Sequence, residues 1–189
     1  DGTISSVSIK EYTSADMDVT RATAATRVDE NGLVNYAEVL GSEEITNGDF
    51  SNGTTGWTEE GSSTISVGTH QGRTNVADIN IGNTSASSRI QQLFDYVNGK
   101  TYKISVDVYL VSGSFRSDSR DAFVSGDFVS TSTTGSWLTL TSTFTAIQTG
   151  QDAVWLRSIN EVSQFYVDSI SIKEVDRDNV PRIDYTGGG

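Results

Sequence analysis

Two alternating stretches of this chain carry side chains suited to holding a ring of hydroxyl groups. In Tyr102-Lys103-Ile104-Ser105-Val106-Asp107-Val108-Tyr109-Leu110, the apolar residues Tyr102, Ile104, Val106, Val108 and Leu110 recur at every second position. On a strand that period turns Lys103, Ser105, Asp107 and Tyr109 outward. In Ala153-Val154-Trp155-Leu156-Arg157-Ser158, the same reasoning points Val154 and Leu156 inward and Trp155 and Arg157 outward. Outward Tyr109 and Trp155 offer flat apolar faces to the C–H face of a sugar ring. Asp107 and Arg157, with Gln91 and Gln92 as further candidates, offer planar polar groups to its hydroxyls. The competing reading of all these residues is ordinary surface decoration, and phase alone does not say whether the two stretches share a sheet.

Other chemistries find less support. His70 is the single histidine and has no recognisable partner in the sequence. Asp176-Arg177-Asp178-Asn179 begins like a calcium loop, but Val180-Pro181 stands where the glycine turn belongs and no glutamate closes it. Phosphate-cradling glycine patterns and a Gly-x-Ser-x-Gly elbow are absent. The chain has no cysteine, which removes disulfides, thiolate metal sites and cysteine nucleophiles together. Its 25 acidic residues leave carboxylates to spare, so composition by itself does not exclude a glycosidase, which needs two at the right separation.

The elements that would position these residues are short strands. The chain is rich in Ser, Thr and Gly, with one proline in 189 residues, and its β-branched residues fall in bursts bounded by turn formers. Strands are expected at 63–67, 74–81, 88–94, 101–111, 121–130, 137–146, 153–159 and 165–175. Such a series predicts an all-β chain folded as a jelly-roll β-sandwich of two antiparallel sheets. In the last strand Phe165 and Val167 keep one parity and Ile170 and Ile172 the other, which predicts a bulge near Asp168. A turn signal at Asp29-Glu30-Asn31-Gly32 between 26–28 and 33–35 predicts a small hairpin. The net charge of −12 repels phosphate backbones and anionic lipid, so neither nucleic acid nor membrane is an expected partner. No apolar run is long enough to span a bilayer.

A family resemblance follows from four landmarks in order. Ile45-Thr46-Asn47-Gly48-Asp49-Phe50 with Gly56-Trp57, then Gly99-Lys100-Thr101-Tyr102-Lys103-Ile104-Ser105, then Trp137 with Leu140 and Phe144, then Phe165-Tyr166-Val167-Asp168-Ser169-Ile170-Ser171-Ile172 resemble the jelly-roll carbohydrate-binding modules of the family 4/9/16/22 type. The resemblance implies a non-catalytic polysaccharide-binding module with its groove on the concave sheet, and Trp57 and Trp137 packed in the core. It also implies a structural calcium ion where first and last strands meet. Carried over, Asp49 and Asp168 match positions that hold that ion, with backbone oxygens around Ser51 and Gly72 as further ligands. Without a metal, Asp49 would cap a turn and Asp168 would hydrogen-bond a bulge.

The flanks carry two more signals. Residues 4–11 repeat the apolar pattern of 167–174, so 1–19 reads as a stray strand from a preceding module plus linker, with chance similarity as the alternative. Residues 20–40 read as a flanking hairpin, 41–175 as the module and 176–189 as a flanking tail. The hairpin and tail resemble a segment of phage tail and structural proteins, which implies a module inserted between two pieces that should pair in space. The expected setting is a longer chain with neighbouring modules, outside the cell or on a virion surface. The alternative functions are a virion spacer without sugar binding and, less favoured, a glycoside-acting enzyme.

Overall fold

Apolar and polar residues alternate along the long strands of the computed structural model, which describes residues 26–28, 34–36, 39–119, 128–158 and 160–176. In chain order the strands are β1 (Thr26–Val28), β2 (Val34–Tyr36), β3 (Val39–Glu43), β4 (Thr58–Glu60), β5 (Ser63–His70), β6 (Arg73–Ile81), β7 (Arg89–Tyr96), β8 (Thr101–Ser112), β9 (Phe115–Ser119), β10 (Val129–Thr131), β11 (Trp137–Thr145), β12 (Gly150–Arg157) and β13 (Ser163–Asp176). Among the described residues there is no helix. One sheet has the order β10-β9-β12-β7-β4 and the other β11-β8-β13-β6-β5, with β3 added beside β13. These strand pairs are antiparallel, as a sandwich built from alternating strands requires.

The core lies between the two inner faces. From the six-stranded sheet, Tyr102, Ile104, Val106, Val108 and Leu110 of β8 and Phe165, Val167, Ile170 and Ile172 of β13 are buried. They meet Ile90, Phe94 and Tyr96 of β7, Val154 and Leu156 of β12, and Phe115 of β9. The inward set of β8 and that of β12 are those the alternation predicts. The expected bulge is present as well: the β13–β8 register slips between Val167 and Ser169, which lets both apolar parities of β13 face the same core.

The Asn47-Gly48-Asp49-Phe50 landmark is a folding device. Asn47 takes a left-handed conformation (φ 53°), donates through Nδ2 to the Gly53 and Thr55 carbonyls and accepts Asn52 N–H through Oδ1. Its carbonyl accepts the Trp57 indole N–H, and Phe50 and Trp57 pack together in the core with ring centres 5.5 Å apart. Gln92, a sugar-binding candidate in the sequence, is instead buried and pins this loop to β7, its amide donating to the Thr46 carbonyl and accepting Thr46 N–H. The loop reaches the last strand through Ile170 N–H, which donates to the Gly48 carbonyl at 2.9 Å.

The sequence reading misses β3, β4 and the five-residue β9, whose Phe115-Arg116-Ser117-Asp118-Ser119 holds a single large apolar residue. Of the strand expected at 121–130, the described part is β10. β1 and β2 pair antiparallel, Thr26 with Tyr36 and Val28 with Val34. The stray strand within 1–19, the hairpin turn and the tail beyond 176 lie outside the described residues.

Two outcomes follow. A Cβ on Gly48 would sit 2.0 Å from the Ile170 carbonyl oxygen, so Gly48→Ala is expected to destabilise the domain by about 1–3 kcal/mol in denaturant titrations, a backbone clash that no rotamer relieves. Burial, reinforced by the charge of Asp152 and opposed by a Ser119 hydrogen bond, pushes the Tyr96 hydroxyl above the usual phenol range, and burial likewise raises Tyr102. The folded chain therefore keeps phenol protons that the unfolded chain releases, so this stability is complete below pH ~10 and declines as pH rises beyond it. Alkaline melts should fall more steeply in the wild type than in Tyr96→Phe.

Candidate functional site

With Gln92 buried, the five remaining candidate ring-binding residues fall on two sheets. Asp107 and Tyr109 are on β8, on the outer face of the six-stranded sheet, whereas Trp155 and Arg157 on β12 and Gln91 on β7 are on the outer face of the five-stranded sheet. The question that phase leaves open, whether the two stretches share a sheet, is thereby answered: they do not. Equal phase fixed that each points away from the core, but the outer faces of a sandwich look in opposite directions.

On the five-stranded sheet, cross-strand register assembles a site in two rows. Trp155 stands opposite Gln91 on one side and Asp118 on the other, and Arg157 stands opposite Arg89 and Arg116. Asp118 is 1% exposed and is held between two guanidinium groups. Arg157 Nε donates to its Oδ1 at 3.0 Å, and Arg116 Nε lies 2.6 Å from its Oδ2. Arg157 also donates from Nη1 to the Ala86 carbonyl. Gln91 accepts Arg89 Nε at 2.9 Å and donates to Glu60 at 3.1 Å. The guanidinium carbons of Arg89 and Arg157 lie over the Trp155 ring, 4.4 and 4.9 Å from its centre, within cation–π range.

Beside this array a groove of about 340 Å³ is lined by Arg89, Gln91, Leu93, Asp152, Ala153 and Trp155. Leu93 is 56% exposed, an apolar side chain standing open to solvent next to an indole. The mixture of an aromatic face, an aliphatic patch and fixed planar donors is what a polyhydroxylated ring requires. Sequence reading identified Trp155, Arg157 and Gln91 but not Arg89, Arg116 or Asp118. Arg89 was within reach, since it shares the phase of Gln91 two residues away, whereas Asp118 and Arg116 belong to the unrecognised β9.

On the opposite face, Tyr109 and Asp107 lie among Trp137, Tyr166 and the tip of the β5–β6 hairpin. The His70 ring stacks on Tyr166 at 3.6 Å between centres, and Gln71 donates to the Tyr109 hydroxyl at 3.2 Å. Trp137, implied to be a core residue, sits outward beneath Arg73, whose guanidinium carbon is 4.2 Å from the indole centre. Leu138, Leu140 and Phe144 hold the inward phase of β11, and Trp137 is out of step with them. Trp57 is in the core as implied.

The residues proposed for calcium do not form a cation pocket. Asp49 is turned to its own loop, where Oδ1 accepts the Ser51 hydroxyl at 2.9 Å and the Ser51 N–H at 3.2 Å, and these bonds hold its carboxyl below the usual range. Ser51 is exposed, and Gly72 sits at the hairpin tip with φ 81°. Asp168 accepts Arg73 Nη1 at 2.8 Å, so a cationic group already stands at that carboxylate. Glu43, which lines a depression with Asp49, Ser169 and Ser171, has its oxygens occupied by donors: the N–H groups of Ile45 and Ile172 and the Ser171 hydroxyl. Among the described residues no three of His, Cys, Asp and Glu gather in ligating geometry. A hard dication wants six to eight oxygens, and this donor set does not fit one.

Comparison with known proteins agrees with the architecture. A solved CBM4 module is 18% identical, with a TM-score of 0.53 over 69% of this chain and 99% of that one. A sugar binding protein from Bacteroides thetaiotaomicron, described as putative, is 11% identical with a TM-score of 0.53, over 70% of this chain and 100% of that one. The CBM22-1 and GH10 modules of a Clostridium thermocellum endo-1,4-beta-D-xylanase, complexed with xylohexaose, give 16% identity and a TM-score of 0.50, covering 75% of this chain and 29% of that one. No curated protein matches the chain. At these identities the likeness establishes the fold, and the family comes from the sequence itself: residues 42–157 match the model of the carbohydrate binding domain of the 4/9 type, and the chain belongs to that family.

Proposed function

We propose that this domain binds a polysaccharide chain along the outer groove of the five-stranded sheet and does not cleave it. The observation that carries the reading is the groove itself, where Trp155 and exposed Leu93 supply apolar contact and Arg89 and Gln91 are held as hydrogen-bonding partners on one face of a family sandwich. Membership in a carbohydrate binding domain family supports a glycan chain as the ligand class. Binding without cleavage is supported by the carboxylates. Asp152 is the one carboxylate among the described residues lining the groove, Asp118 is buried between arginines, and glycoside hydrolysis calls for two facing carboxylates.

A spacer role without sugar binding is favoured by one observation, the separation of Tyr109 and Trp155 onto opposite faces, which leaves Trp155 as the single aromatic ring among the described residues that line the groove. Calorimetry and affinity electrophoresis against soluble plant, algal and bacterial polysaccharides decide between the two. Saturable binding to at least one glycan is expected, and a folded protein that binds none of them would leave the spacer reading standing. Trp155→Ala is expected to weaken binding about tenfold or more with little change in melting temperature. Asp118→Ala should behave differently, because it strands buried guanidinium charge: a loss of about 3–5 kcal/mol in unfolding free energy is expected whether or not glycan is present.

A further inference from the structure

The tip of the β5–β6 hairpin leaves the plane of its sheet, and the backbone shows how. Gln71 and Gly72 both adopt left-handed conformations (φ 51° and 81°), the two-residue turn that suits a twisted hairpin. Gly68 pairs with Val76 and Thr69 with Thr74, so Asn75 (φ 59°) is an extra residue that bends the ribbon. Pairing of β6 with β13 ends at Ala77–Val167, and beyond that point the tip lies over the outward side chains of the sheet. His70 stacks on Tyr166 of β13, Gln71 bonds to Tyr109 of β8, and Arg73 covers Trp137 of β11, so the tip grips three strands.

Arg73 is the charged member of this grip. Its Nη1 lies 2.8 Å from Asp168 Oδ2 and 3.6 Å from Asp107 Oδ2. Those two carboxylates come from adjacent strands. Asp107 pairs with Ser169, and the bulge delivers Asp168 to the same outer face. Two neighbouring anions in a chain of net charge −12 need a cation between them, and the guanidinium supplies it from the hairpin while its plane is held by the indole. A divalent ion at Asp168 would have to share that carboxylate with a fixed positive charge.

We infer that Arg73 is the built-in cation of this sandwich: the hairpin tip acts as a clasp over the six-stranded sheet, and its guanidinium holds the Asp107–Asp168 position that a metal would otherwise fill. The clasp makes the fold independent of calcium. It also assigns Asp107 and Tyr109 to holding the fold together, apart from the groove on the other sheet.

The test is thermal unfolding of the full chain, followed by circular dichroism, after chelation with EDTA and after return of millimolar calcium, together with calorimetric titration of the protein with calcium alone. The melting midpoint is expected to be the same in both states, with no stoichiometric calcium binding. Arg73→Gln is expected to lower the midpoint by about 2–4 °C, and adding Asp168→Asn to it should cost little more, because both changes remove the same contact. A midpoint that falls on chelation and returns with calcium, or stoichiometric heats in the titration, would overturn the inference without needing any variant. So would an Arg73→Gln protein that melts with the wild type.

Discussion

Hydrogen bonding on both sides of β13 constrains everything else in the sandwich. The strand pairs with β8 from Gln164 to Val175, while its other side is shared, first by β6 and then by β3. A strand so enclosed must present one face to the core throughout, yet its apolar residues change parity between Val167 and Ile170. The conflict is resolved by expelling one residue from the ladder, and that residue is Asp168. The bulge thus answers a packing demand and at the same time sets a carboxylate beside Asp107. Once it is there, the charge on the hairpin tip has a place to go.

The same strand anchors the beginning of the domain. Ile170 N–H donates to Gly48, and Ile172 N–H is taken by the Glu43 carboxylate, so the entry loop is fastened to β13 by hydrogen bonds and to β7 by buried Gln92. The tight approach explains why a glycine stands at position 48, where the Ile170 carbonyl leaves no space for a side chain. Chain closure in a protein without cysteine is achieved here by backbone contact and packing, with Phe50 and Trp57 filling the end of the core.

What could be read from the sequence follows from this geometry. β8 has a neighbour on each side and a core beneath it, so period two is imposed on every residue and the alternation is legible from Tyr102 to Leu110. β12 is likewise central in its sheet, and Val154 and Leu156 declare their phase. Phase, however, carries no label for the sheet, which is why Tyr109 and Trp155 looked equivalent and are not. Trp137 shows the reverse case. Leu138, Leu140 and Phe144 already define the inward phase of β11, and the family landmark outweighed a signal the residues themselves contained. β9 was hidden because its outward positions bear Arg116 and Asp118 and its inward Ser117 and Ser119 are small, so no apolar period exists to detect. The overhang of the hairpin was not legible at all, since it depends on a left-handed Asn75 whose bend has a direction only in three dimensions.

The two outer faces use one chemical unit for different ends. On each, a guanidinium lies over an indole and reaches a carboxylate: Arg73 with Trp137 and Asp168, Arg157 with Trp155 and Asp118. In an acidic chain this unit is economical, because the arginine satisfies a carboxylate and orders an aromatic ring in one contact. The outcome depends on what covers it. On the six-stranded sheet the hairpin tip supplies the cover: the His70 ring stacks on Tyr166 and meets Trp137 edge-on, and Trp137 packs tilted against Tyr109. On the five-stranded sheet Asp118 is enclosed by the Arg116 and Arg157 guanidiniums, and the Trp155 side of the array stands beside an open groove with Leu93 exposed. One face uses its own chain to cover an aromatic patch, and the other closes its charge between two arginines and keeps a groove beside them.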